Sequence, residues 1–256
     1  MVRKILVLGL LAMSLVAPGI HAQTAPAGKS PPAANAVDPA AIQALKDMGA
    51  YLQTLKRFRV STEVTGERVL ADGQKLQHSA SADLDVARPN KLRARMFSAR
   101  AERELFYDGK TVTLYTPAQK HYSTIEFDDT LGALFDRLEQ KYAVQLPLSD
   151  LFVFGTPAAQ FDKIESAMNA GQDFIDNDLC DHYAYRSAKI DWKIWITAGK
   201  KPLPRKIVIT NRTDEARPQS VSLIDWDLKA PINDALFKFM PAKGASRIEI
   251  VPRKTQ

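Results

Sequence analysis

The sequence predicts a mainly β fold of the α+β kind: one strongly curved antiparallel sheet of about ten strands, with helices covering its concave face. Three observations predict it. Apolar residues recur with period two over most of the chain from Phe58 onward; turn dipeptides separate these stretches at short intervals; and only two stretches carry helical spacing. Short gaps make successive strands antiparallel neighbours.

The first residues read as an export signal. Arg3 and Lys4 precede an apolar run from Ile5 to Val16, Pro18 and Gly19 break it, and Ile20-His21-Ala22-Gln23 offers a cleavage site with a small residue before the cut. The run is shorter than the roughly 18 apolar residues of a spanning helix. The expectation is a signal peptide over residues 1–22, cut after Ala22, and a periplasmic protein whose mature chain has no transmembrane segment. A lipoprotein signal needs a cysteine directly after the cut, and the single cysteine is Cys180. From Gln23 to Val37 the composition is that of a disordered Ala/Pro-rich linker. One domain is expected over 38–256.

Asp38 before Pro39 reads as a helix N-cap with proline in the first turn. Ile42, Leu45, Met48, Leu52 and Leu55 then recur at helical spacing, so an amphipathic helix should end near Arg57. The period next drops to two. Phe58, Val60, Thr62 and Val64 share one face; Leu84 and Val86 alternate with Asp83 and Asp85, and Leu92, Ala94 and Met96 with Lys91, Arg93 and Arg95. Turn signals stand at Asp72-Gly73, Pro89-Asn90, Asp108-Gly109 and Pro117-Ala118, and Leu105–Tyr107 with Thr111–Tyr115 form a hairpin. A second helix runs through Leu131, Leu134, Phe135, Leu138 and Tyr142; with the apolar segment Leu148–Phe154 after it, it is the candidate lid. Strands resume at Ile164–Phe174, Leu179–Arg186, Ile190–Thr197, Arg205–Asn211 and Gln219–Leu228, with a short one near the C-terminus.

With 45% hydrophobic and 25% charged residues, the chain has the material for an ordinary core. Its formal charge of +6 falls to +4 when Arg3 and Lys4 leave with the signal, a mild excess that favours solubility or contact with anionic headgroups. One cysteine makes no internal disulfide, so the core alone must hold the fold.

Signatures of common enzymes are missing: there is no glycine-rich phosphate loop, His-Glu-x-x-His, Cys-x-x-Cys or Gly-x-Ser-x-Gly. His78, His121 and His182 lie far apart, without metal-ligand spacing, and neither a metal nor another cofactor is expected. Cys180 and His182 share a strand face and are the one thiol–base pair to weigh, but Asp178 and Asp181 beside them raise a thiol pKa rather than lower it. The row Lys91, Arg93, Arg95, extended by Arg100 and Arg103, lacks the interleaved aromatics that stack bases, and nucleic acid is not an expected partner. It reads first as the solvated face of a strand. No catalytic residue is expected.

Three stretches together resemble a known family: Leu105–Lys110 (LFYDGK) with Leu114 and Tyr115; Leu146–Phe152 (LPLSDLF); and Cys180–Arg186 (CDHYAYR) leading into Asp191–Ile196 (DWKIWI). Pro202–Lys206, Trp226 and Phe237–Ala245 extend the likeness, which covers roughly Ala41 to Ile248. The family is an uncharacterised one of predicted periplasmic proteins, known as a domain of unknown function. By element order it is similar to the outer-membrane lipoprotein carrier and receptor fold, LolA and LolB-like. That likeness implies an unclosed β-barrel with a helical lid that holds acyl chains. No ligand-binding residue of the carriers matches by motif.

Three readings follow: a periplasmic carrier or binding protein for a lipid, a lipoprotein acyl chain or another hydrophobic ligand; an envelope sensor or assembly factor that binds another protein; and a thiol hydrolase using Cys180 and His182. For the first, the candidate lining is Phe58, Val60, Val64, Leu84, Val86, Leu92, Met96, Leu134, Phe135, Leu138, Trp192, Ile194 and Ile196. These side chains either surround a cavity or fill the core against the helices; the pattern alone fits both.

Overall fold

The computed structural model describes residues 36–252. The expected signal peptide with its cleavage site, the expected linker up to residue 35 and the last four residues lie outside the described residues.

Helix α1 (Pro39–Thr54) starts as the sequence predicts, with the Asp38 carboxylate accepting a hydrogen bond from the Ala40 N–H at 2.9 Å. It buries Ala41, Leu45, Met48 and Leu52 on one stripe. Just before it, Val37 bridges to Ala167, so the chain already pairs with the sheet at a residue expected in the linker.

Strands β1 (Arg57–Val69), β2 (Lys75–Ala87), β3 (Lys91–Phe97), β4 (Glu102–Tyr107), β5 (Thr111–Thr116) and β6 (His121–Glu126) form a meander. Helix α2 (Leu131–Tyr142) follows, capped by Thr130. An irregular segment with two short 3₁₀ turns, Ser149–Phe152 and Phe161–Lys163, leads into the second meander. Its strands are β7 (Ser166–Ile175), β8 (Asp178–Arg186), β9 (Ile190–Thr197), β10 (Pro204–Asn211) and β11 (Gln219–Asp227). The chain then returns along the first meander and adds β12 (Ser246–Arg247). One twelve-stranded sheet results among the described residues, in the order β12-β6-β5-β4-β3-β2-β1-β11-β10-β9-β8-β7. The meanders are joined where β11 pairs antiparallel with β1, Val60 opposite Trp226. β12 is the one parallel strand of that sheet, and the end strands β12 and β7 do not pair with each other, so the barrel is unclosed.

Period-two alternation assigns the faces. The inner face carries Phe58 and Val60 of β1, Leu84 and Val86 of β2, Leu92 and Ala94 of β3, and Ile194 and Ile196 of β9, all buried in one cluster with α1 and α2. Phe152 ties the parts together, its ring centroid 6.3 Å from Phe58 and 5.0 Å from Phe135 of α2. Tyr185 of β8 donates a hydrogen bond to the Ala41 carbonyl at 2.8 Å, which fastens α1 across the second meander.

The outer face is a ladder of charges. Arg93 reaches Glu104 at 2.8 Å, Arg95 reaches Glu102 at 3.3 Å, and Lys91 reaches Asp234 at 2.5 Å. Each cation of the row Lys91, Arg93, Arg95 thus has a carboxylate partner from β4 or from the returning C-terminal segment. That segment also inserts Phe239 among Phe106, Tyr115 and Tyr122, with ring centroids 4.9 to 5.3 Å apart.

Asp234 is the electrostatic clip of this return, held between Lys91 and Arg57. Their hydrogen bonds, Lys91 first, lower its pKa from 3.8 to about 2. A carboxyl whose folded pKa is depressed favours the folded arrangement above its unfolded value and loses that contribution as pH falls through the folded one. The melting-temperature difference between the wild type and Asp234→Asn is therefore expected to be constant above pH 3.8 and to shrink toward zero as pH falls to about 2. A difference that stays constant through that window would contradict the clip.

Candidate functional site

On β9 and β10 the inner face keeps its apolar pattern, but neither helix fills the space before it. Ile190, Trp192 and Ile194 point inward from β9, Ile207 and Ile209 from β10, and Ser222 from β11. Register makes them one patch: Ile207 stands opposite both Ile194 and Ser222, and Ile209 opposite Trp192. Facing the patch is the irregular segment 148–164, which contributes Leu148, Leu151, Val153, Phe154, Phe161 and Ile164. Between them lies a cavity of about 490 Å³, open on one side. Its polar lining is sparse: Asp150, Gln160, Lys163, Ser187 and Ser222. Size and lining are those of a site for a hydrophobic small molecule.

The cover is held from behind by α1. Gln53 donates to the Phe154 carbonyl at 2.7 Å, and Gly49 of α1 meets Gly155 backbone to backbone. A Cβ on Gly49 would stand 2.4 Å from the Gly155 nitrogen, and one on Gly155 would stand 2.5 Å from the Gly49 carbonyl oxygen. Gly155 also has φ +78, in the left-handed region that glycine enters freely. The irregular path over the cavity thus depends on two glycines and one amide. At the cavity wall, Trp192 is steadied by Tyr185, with rings stacked at 4.2 Å, and lies 6.4 Å from Phe154 of the cover.

Of the candidate lining residues, Trp192 and Ile194 border this cavity. Phe58, Val60, Leu84, Val86, Leu92, Leu134, Phe135, Leu138 and Ile196 are buried in the packed cluster, Met96 packs at its margin, and Val64 is half-buried on β1 opposite Ser222. Leu134, Phe135 and Leu138 hold α2 against the core, so α2 belongs to the packed core and the segment after it is the cover. Ile190, Ile207, Ile209, Phe161 and Ile164 were not singled out by the sequence reading. Their strand alternation was visible; the absence of a helix above them was not.

Cys180 lies on the outer face, buried with Trp195 and Val208 in a small separate cluster. Its thiol donates to the Asp178 carbonyl at 3.5 Å, and burial, then the charge of Asp178, pushes its pKa up. His182 shares that face but stacks flat on Trp195, with ring centroids 4.0 Å apart, and its Nδ1 is 3.5 Å from Asp173. Burial lowers the His182 pKa, with Lys193 and Lys206 acting in the same direction against Asp173. The thiol is thus bonded to a backbone carbonyl, while the imidazole lies against Trp195 and Asp173 with its Nε2 buried and without a partner. Cys180 is expected to react with a thiol reagent at least about a hundredfold more slowly in the native state than after unfolding. Rapid native labelling at neutral pH would reinstate a nucleophile. Among the described residues no three His, Cys, Asp or Glu side chains gather as a metal site.

A family model of predicted periplasmic proteins matches residues 41–251, nearly all of the described chain. The chain belongs to the DUF2092 family. The cavity, its cover and the packed core all lie within the DUF2092 match. No curated protein matches the sequence. Among solved structures, an uncharacterized conserved protein from Thermus thermophilus is similar with TM-score 0.48 and 11% identity, over 82% of this chain and 99% of that one. The Mycobacterium tuberculosis lipoprotein LppX gives TM-score 0.48 and 13% identity over 77% and 98%. A LolA superfamily protein from Nitrosomonas europaea gives 0.37 and 11% over 78% and 97%. No helix among the described residues is long and apolar enough to cross a membrane.

Proposed function

We propose that this DUF2092 protein is a non-catalytic periplasmic binding or carrier protein for a hydrophobic ligand, a lipid or a lipoprotein acyl chain, held between the β9–β10 face and the segment 148–164. The single observation that carries the reading is the apolar cavity of about 490 Å³ whose wall residues Ile190, Trp192, Ile207 and Ile209 are only partly buried. Apolar side chains left half-wet in a cleft gain from a ligand that covers them: each methylene withdrawn from water contributes about 0.8 kcal/mol. A chain of about a dozen methylenes offers roughly 10 kcal/mol before the cost of ordering it.

The site residues in this reading are Trp192, Ile194, Ile207 and Ile209 on the sheet and Phe154 and Phe161 on the cover. The mature domain begins after a signal cut behind Ala22, and N-terminal sequencing of protein recovered from the periplasm is expected to start at Gln23. Full-length Met1 in the cytoplasm would contradict that setting. The binding claim is tested by titrating a lipophilic fluorescent dye into purified protein. Saturable enhancement that a long-chain fatty acid displaces is expected; no enhancement over a protein-free control would refute it.

A further inference from the structure

Arg88 occupies the turn between β2 and β3, at the end of the sheet where α1 meets β1. Its guanidinium lies over the Phe152 ring, 5.3 Å from the centroid. Burial lowers its pKa, and no neighbouring carboxylate counters the effect. Its Nε is shut off from solvent without an acceptor. The Nε atoms of Arg93 and Arg205 are also left over, but those guanidinium groups pair with Glu104 and with Asp176, Asp178 and Asp225. Among the described residues Arg88 has no such partner.

A cation drawn partly out of water is costly unless an anion meets it. Stacking on an aromatic ring lowers that cost and leaves the in-plane N–H groups free, an arrangement suited to a phosphate or carboxylate. The Arg88 backbone N–H donates to the Lys56 carbonyl at 2.9 Å, which makes Lys56 its neighbour across the strand pair, and exposed Lys56 has no ion-pair partner among the described residues. The nearby Arg57 and Lys91 are already satisfied by Asp234. Neither Arg88 nor Phe152 lines the cavity.

The geometry points to a second binding site: Arg88, seated on Phe152 and supported by Lys56, binds a phosphate oxyanion, as a lipid headgroup or as a free phosphate. The site does not depend on the cavity holding a ligand, although the 3₁₀ turn that carries Phe152 also supplies Leu151 to the cavity wall. Phosphate binding at this turn would therefore act on the same segment that covers the cavity.

The test uses the mature protein with two probes, inorganic phosphate in a calorimetric titration and phosphatidylglycerol-containing vesicles in co-sedimentation, with phosphatidylcholine vesicles as reference. Arg88→Gln is expected to weaken binding by about tenfold or more, Lys56→Gln by less, and Arg88→Lys to retain part of it. Arg103→Gln, which removes an exposed cation on β4, is expected to leave it unchanged. Binding of vesicles lost with Arg88→Gln identifies a headgroup; binding of inorganic phosphate alone identifies a free oxyanion. The site is overturned if neither probe binds the wild type, if Arg88→Gln binds as the wild type does, or if Arg103→Gln weakens binding equally. A melting temperature for Arg88→Gln close to wild type shows that any loss is local.

Discussion

Replacing Ile207 with Asp is expected to abolish uptake of a long-chain ligand while leaving the protein folded. Ile207 sits at the centre of the sheet wall, opposite Ile194 on one side and Ser222 on the other. It is only half-buried, so in the unliganded protein a carboxylate there keeps contact with water. A bound acyl chain removes that water, and the charge must then be neutralised or left in an apolar site. Either outcome costs about 3 kcal/mol or more, which weakens binding about a hundredfold. The same substitution at Leu138, which is fully buried in the α2 contact, is expected to unfold the protein instead. The pair separates a cavity wall from a packed core: loss of dye binding with a near-native melting curve for Ile207→Asp, and loss of the folded state for Leu138→Asp. If Ile207→Asp bound the dye as the wild type does, the ligand would lie elsewhere.

The second large effect concerns the cover. Gly155→Ala places a methyl group 2.5 Å from a backbone oxygen of α1 and forces alanine to φ +78. The Gln53 side chain, 2.9 Å away, can yield, but the Gly49 backbone oxygen and carbon at 2.5 and 2.6 Å cannot, so either α1 or the cover must shift. We expect a loss of about 2 kcal/mol or more, drawn from the overpacking and the left-handed backbone. Gly49→Ala meets the same contact from the other side and is expected to cost a similar amount. Because Gln53 and Gly49 grip the cover next to Phe154, both variants are expected to bind ligand more weakly as well. Chemical denaturation measures the first effect and dye titration the second. Two variants as stable as the wild type would show that the close approach is not maintained in solution.

Much of this fold was legible because single residues announce it. Asp38 and Pro39 place the start of α1, the spacing from Leu131 to Tyr142 matches α2, and Ile190–Thr197 is β9. β6 was missed because its inward side chains are Ser123 and Ile125, too little apolar surface to mark a face, and the Ser123 hydroxyl donates to the distant Ile248 carbonyl. The partners of Lys91, Arg93 and Arg95 depended on the β3–β4 register and on a C-terminal segment returning from over a hundred residues away. The cavity was half legible. Alternation named the inner face but gave every apolar inward residue equal standing. What separates Leu84 and Leu92, packed under the helices, from Ile207 and Ile209, left half-covered, is where α1 and α2 dock. That is set by contacts such as Tyr185 to Ala41 and Phe152 to Phe58, which no local pattern records.

The most direct measurement of the central claim is native mass spectrometry of the protein purified from cell envelopes without detergent. A population heavier than the apoprotein by the mass of a lipid or fatty acid is expected, absent from Ile207→Asp prepared in the same way. Wild-type protein that carries nothing, and takes up no acyl chain when one is supplied, would contradict it.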